Sequence, residues 1–141
     1  MGEYIYAGIQ FGGKLKREHA PELLELVNDK YLTVDMCGGE TVIDELGEQL
    51  ASDSVNFGDL DELEDFAKER GLDYDYSCGS GPDWDRINRR YYAATGETFE
   101  TTGENGPCLS RGEIEELGSY EKVLEHFDKA AAPLPPFELV D

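Results

Sequence analysis

Five carboxylates fall within the seven positions from Asp59 to Asp65, inside the stretch FGDLDELEDFAKERG. Such groups can ligate a divalent cation, act as a general acid–base pair, or attract a basic surface. A calcium loop needs oxygen ligands at alternate positions, a glycine at the sixth and a bidentate glutamate at the twelfth. Asp59, Asp61 and Glu62 lack that spacing. Asp73-Tyr74-Asp75-Tyr76-Ser77 begins correctly and then fails, with Cys78 at the sixth position and Trp84 at the twelfth. No metal or other cofactor is expected. Carboxylate pairs for glycoside chemistry can be drawn at will from 32 acids, so that pattern carries no information.

Cys37, Cys78 and Cys108 form no CxxC pair, and their odd number and wide spacing argue against a disulfide framework. Reduced, partly buried thiols are expected. A thiol with His19 or His126 would supply a nucleophile and a base, and a composite zinc site would need four converging ligands. Nothing in the sequence brings these residues together, so none is assigned a catalytic or metal role. The glycines of GGK (12–14) and GSGP (79–82) match neither phosphate-loop pattern and read as turns. Arg86, Arg89 and Arg90 lie between Trp84 and the pair Tyr91–Tyr92, a combination able to grip phosphates and stack on bases. Strand alternation splits it, placing Arg89 with Tyr91 and Arg90 with Tyr92. In a chain of net charge −20 the arginines are expected to pair with their own acids. Direct binding of nucleic acid is therefore not expected. Trp84, Tyr91 and Tyr92 are instead candidate anchors for a protein interface, where such residues concentrate.

The distribution of charge is the stronger signal. Against 32 acids stand 12 bases, and none of the bases, nor either histidine, lies between Tyr31 and Ala67. That interval holds eleven acids, including Asp35, Glu40, Asp44, Glu45, Glu48, Asp53, Asp59, Asp61, Glu62, Glu64 and Asp65. Residues 91–110 are also free of bases and add Glu97, Glu100 and Glu104. A one-signed field repels nucleic acid and anionic membranes and steers a basic partner inward. Solubility or adaptation to high salt would also produce acidity, but mixed signs serve solubility better. The acids of 40–65, namely Glu40, Asp44, Glu45, Glu48, Asp53, Asp59, Asp61, Glu62, Glu64 and Asp65, are the candidate partner-binding surface. In size, charge and segregation of acids the chain resembles the small acidic inhibitors of phages and mobile elements, the anti-CRISPR and anti-restriction proteins that mimic DNA. The resemblance implies a non-enzyme that blocks a nucleic-acid-binding defence complex stoichiometrically. It carries no motif and assigns no residue.

The elements that must hold these groups can be read from periodicity. With 141 residues, 39% apolar, the chain fits one globular α+β domain with a mainly antiparallel sheet and two to four packed helices. Ile5, Ala7, Ile9 and Phe11 alternate as a strand ended by Gly12-Gly13. Pro21 opens a helix to about Asn28. Residues 31–37 read as a second strand, 41–51 as an ambiguous helix, and Val55–Phe57 as a very short strand. Leu60, Leu63, Phe66 and Ala67 give a helix with Asp59 as N-cap, Glu62 completing a capping box, and Gly71 beyond the end. Local helix physics thus accounts for most of the acid-rich stretch. Leu72, Tyr74 and Tyr76 read as a strand, 87–102 as a hairpin, and 77–83 and 103–107 as loops. Ser110 and Ser119 cap two last helices, and a Pro-rich tail from about 132 docks through Phe137 and Leu139. No stretch is long and apolar enough for a membrane span and no signal peptide is read, so a cytoplasmic protein is expected. Two alternatives to an acidic inhibitor follow: a small enzyme using Cys78, Cys108 or an acidic metal site, and an acidic solubility or oligomerisation module.

Overall fold

A computed structural model describes residues 4–34, 36, 38–80, 86–102 and 108–141. Its framework is a seven-stranded sheet in the order β2-β3-β1-β4-β5-β6, with β7 paired to β1. In chain order these are β1 (Tyr4–Lys16), α1 (Ala20–Asp29), β2 (Thr33–Val34), β3 (Leu50–Asn56), α2 (Asp61–Arg70), β4 (Asp73–Cys78), β5 (Ile87–Tyr92), β6 (Glu97–Thr102), α3 (Arg111–Leu117), α4 (Tyr120–Ala131) and β7 (Phe137–Val140). Only the β1–β7 pair is parallel. The architecture is α+β, as the mixed periodicities predict.

Alternation decides which face each strand buries. Ala7, Ile9 and Phe11 of β1 and Tyr74, Tyr76 and Cys78 of β4 point to one face and join the core. Leu23 and Val27 of α1 and Leu63, Phe66 and Ala67 of α2 close over that face. The other face carries Asp73, Asp75, Asn88, Arg90 and Phe99 by the same registers. There α4 covers the outer hairpin, with His126 against the Phe99 ring and the Tyr92 hydroxyl donating to the Lys129 carbonyl. Among the described residues no helix is long and apolar enough to cross a membrane.

Several element boundaries differ from the sequence expectation for identifiable reasons. β1 does not stop at Gly12-Gly13 but continues to Lys16, because Leu15 still points inward and the tail supplies a new partner. The second strand shrinks to Thr33–Val34, with Asp35 and Cys37 outside the described residues. The ambiguous 41–51 segment is a 3-10 turn at Ile43–Glu45 that leads into β3. The short strand expected at Val55–Phe57 is the end of β3, a full strand at the centre of the domain's acidic half. Asp59 lies one residue outside the N-cap of α2. Its carboxylate accepts the Asp61 N–H at 2.9 Å, while its own N–H donates to the Asn56 carbonyl, so the capping box with Glu62 does not form. Gly71 (φ 72°) ends α2 in the left-handed region that favours glycine. Ser110 and Glu113 complete the expected capping box of α3, and Ser119 caps α4.

The tail docks through a close backbone approach. Gly13 N–H donates to the Pro136 carbonyl at 3.2 Å, and a Cβ on Gly12 would lie 2.4 Å from the Pro135 carbonyl oxygen. Gly12→Ala is expected to cost ~1–3 kcal/mol by overpacking. Hydrogen exchange checks this: the Glu138 and Val140 amides, which the parallel register directs at β1, should lose protection while Tyr74 keeps it.

Candidate functional site

The sheet sorts the ten candidate acids into two kinds. One is buried and neutralised. Glu64 lies on the α2 stripe beside Leu60 and Ala67, and its side chain is only 5% exposed. Arg89 Nη1 donates to both of its oxygens, at 2.7 and 2.8 Å, and the Tyr74 hydroxyl donates to Oε1 at 2.8 Å. Glu64 therefore does not belong to the partner-facing surface expected from sequence. The signal was present, since Glu64 stands four residues after Leu60 and three before Ala67 on the face that turns inward.

The other nine have no ion pair to a base among the described residues. Three of them do local work. Glu45 accepts the Val42 N–H at 3.0 Å and Asp59 that of Asp61. Asp53 sits in a bulge, where Asp53 and Ser54 together oppose Tyr6, and its carboxylate accepts the Ser54 hydroxyl at 3.1 Å. Ser54 N–H in turn donates to the Ser52 hydroxyl at 3.2 Å. A bulge with an outward carboxylate blunts the β3 edge, which β2 covers only at Leu50 and Ala51. Glu40, Asp44, Glu48, Asp61, Glu62 and Asp65 are exposed at the two ends of β3. Crowding shows at Asp61. Partial burial, then the charges of Asp59 and Glu64, raise its pKa above the ordinary carboxylate value.

The cations are used elsewhere. Arg89 also donates to Glu100 at 2.9 Å and lies over the Tyr76 ring, 4.9 Å from its centroid. Burial pulls its pKa down, but the hydrogen bonds and charge of Glu64 and Glu100 raise it overall. Arg90, 3% exposed, donates to Asp73 at 3.2 Å and stands 3.6 Å from Asp75. Burial raises the Asp75 pKa, which Arg90 opposes and Asp73 reinforces. Arg86 lies over the Tyr6 ring at 5.6 Å. The expected split of the cluster holds, with Arg89 and Tyr91 facing α2 and Arg90 and Tyr92 facing away.

The proposed aromatic anchors are not free as sequence suggested. Tyr91 is buried and stacked on Tyr74 at 5.4 Å, because its strand position faces the core. Tyr92 is half-buried beneath Arg90 and bonded to α4. Trp84 lies outside the described residues, as does the 103–107 loop with Glu104. Burial, then the charge and hydrogen bond of Glu64, push the Tyr74 pKa up, so its hydroxyl stays a donor.

Cys78 and His126 are held on opposite faces of the sheet, Cys78 buried on the α2 face of β4 and His126 on α4. His19 neighbours Glu18, and Cys108 is exposed. Among the described residues no three His, Cys, Asp or Glu side chains converge as a metal site would require. A polar cavity of about 310 Å³ opens between β4, β5 and α4, lined by Gln49, Asp75, Ser77, Asn88 and Thr101 among others. Its described lining includes neither a cysteine nor a histidine. What residues 40–65 offer chemically is nine carboxylates without an ion pair among the described residues, on the segment before β3, on β3 at Asp53, and at the start of α2. No protein-family profile, curated protein or solved structure matches the chain.

Two measurements test this division. Glu64→Ala removes the buried acceptor shared by Arg89 and Tyr74 and should lower stability by about 2 kcal/mol in urea unfolding, whereas Glu62→Ala should change it by less than ~0.5 kcal/mol. A carbon-detected NMR titration should place the Asp61 midpoint above the ordinary carboxylate value, and Asp59→Asn should move it down.

Proposed function

We propose that this protein is a non-catalytic acidic binder of a basic, nucleic-acid-handling protein, acting by charge mimicry. The supporting observation is that Glu64, the single acid of 40–65 that is paired with a base among the described residues, is also the one that is buried. The remaining carboxylates are spread over the 40–48 segment before β3, Asp53 on β3, and Asp59 with the first turns of α2. Neighbouring helix positions stand ~5–6 Å apart, and β3 adds the single carboxylate of Asp53. Such an array can occupy a groove lined by Lys and Arg in place of phosphates, each released counterion adding to a salt-dependent affinity. The compositional resemblance to phage and mobile-element inhibitors points to a defence complex as the target.

A second reading, an acidic solubility module, draws support from the acids of the opposite end, where Glu113, Glu115, Glu116, Glu121 and Glu125 are exposed. Capture from bacterial lysate at low salt separates the two. Mimicry predicts recovery of one nuclease or CRISPR complex, released by salt and displaced by duplex DNA. With that complex purified, reversing Asp59, Asp61, Glu62 and Asp65 to Lys should slow association by about tenfold and flatten its salt dependence. Unchanged affinity and salt slope would refute mimicry, and a scatter of basic proteins would favour the solubility reading.

A further inference from the structure

At the other end of the sheet, α4 presents a seam that the domain leaves uncovered. None of its twelve residues is fully buried. Tyr120 is 76% and Leu124 44% exposed, Ala131 is exposed as well, and Phe127 is half-buried beside the His126 ring. Tyr120, Leu124, Phe127 and Ala131 follow one another at intervals of four, three and four. That is the heptad spacing of a helix that packs along a second helix, with Tyr120 and Phe127 at d and Leu124 and Ala131 at a.

The two shoulders of this seam differ. On one side Val123 and Ala130, at the g positions, are half-buried toward the sheet, where His126 meets Phe99 and the Lys129 carbonyl accepts the Tyr92 hydroxyl. On the other side Glu121 and Asp128 hold the e positions, with Glu125 just beyond, all exposed. The cations of α4, Lys122 and Lys129, fall at the f positions, away from the seam, and Lys129 is 3.6 Å from Glu97. The seam therefore offers an apolar line whose one charged shoulder is made of carboxylates.

We propose that this face of α4 docks an amphipathic helix with an apolar stripe and Lys or Arg along its flank. Helical periodicity selects the shape of the occupant, and the acidic shoulder selects its charge. A second copy of the chain is a poor fit, because antiparallel self-pairing would set acidic shoulder against acidic shoulder. The surface lies on β6, at the far end of the sheet from β3, so it does not rest on the role of the acids of 40–65.

The probe is a synthetic helix with Leu at a and d and Lys at e and g, titrated by fluorescence anisotropy against the whole chain. A companion peptide with the same lysines and Gln in place of Leu reports bulk charge. The Leu peptide should bind and the Gln peptide should not. Tyr120→Ser and Leu124→Ser should each weaken binding about tenfold, and circular dichroism should confirm that both variants stay folded. Lysine reversal at Asp59, Asp61, Glu62 and Asp65 should leave the seam's affinity within about twofold after the same change in the Gln control is subtracted. Equal binding of both peptides, or undiminished binding by both serine variants, would overturn the proposal. So would a dimer of the wild-type chain in sedimentation that Tyr120→Ser dissolves, since a second copy would then be the occupant.

Discussion

Glu64 is the constraint around which the domain is arranged. A carboxylate taken from water loses several kcal/mol of solvation unless charge and hydrogen bonds replace it. Here Arg89 supplies the charge from β5 and Tyr74 a hydroxyl from β4, while Glu64 itself rides on α2. The network thus fixes the helix against two strands at once. Arg89 remains 25% exposed and reaches Glu100 on β6, so its charge is neither fully desolvated nor left unmatched. The flat contact of Arg89 on Tyr76 and the stacking of Tyr91 on Tyr74 continue the same layer across the sheet.

That arrangement has a consequence for the surface. With 12 bases to set against 32 acids, a cation committed to the interior is not available to the acids outside. Arg89 and Arg90 between them face Glu64, Glu100, Asp73 and Asp75. These pairs hold β4, β5 and β6 together, which leaves the β3 side without a counter-charge among the described residues. Some acids of that side also serve the fold directly, as Asp53 does by blunting an edge and Glu45 by closing a turn. The one-signed charge of this side and the features that blunt its sheet edge are therefore built from the same residues.

Much of the fold was legible. Period-two alternation located β1 and β4, the stripe of Leu60, Leu63, Phe66 and Ala67 located α2, and Ser110 and Ser119 marked the starts of α3 and α4. The failures share a physical origin. β3 was obscured because only Leu50, Ala51 and Val55 of its residues are buried and the bulge at Asp53–Ser54 breaks the alternation. β1 runs past two glycines because a distant tail covers it, which no local rule can report. Residue type marks Tyr91 and Tyr92 as interface candidates, whereas the strand register commits one to the core and the other to α4.

By itself the sequence determined the class of fold, the one-signed charge of 31–67 and the positions of most helices, since these depend on composition and on contacts within a few residues. Only the tertiary structure decided which acids keep their charge in water. Glu62, Glu64 and Asp65 are neighbours with the same functional group, yet a rotation of 100° per residue along α2 turns one of them onto Arg89 and leaves the others outside. It likewise decided that the apolar stripe of α4 is wider than the sheet beneath it can cover. Burial is set by what packs across from a residue, and that partner can lie anywhere along the chain.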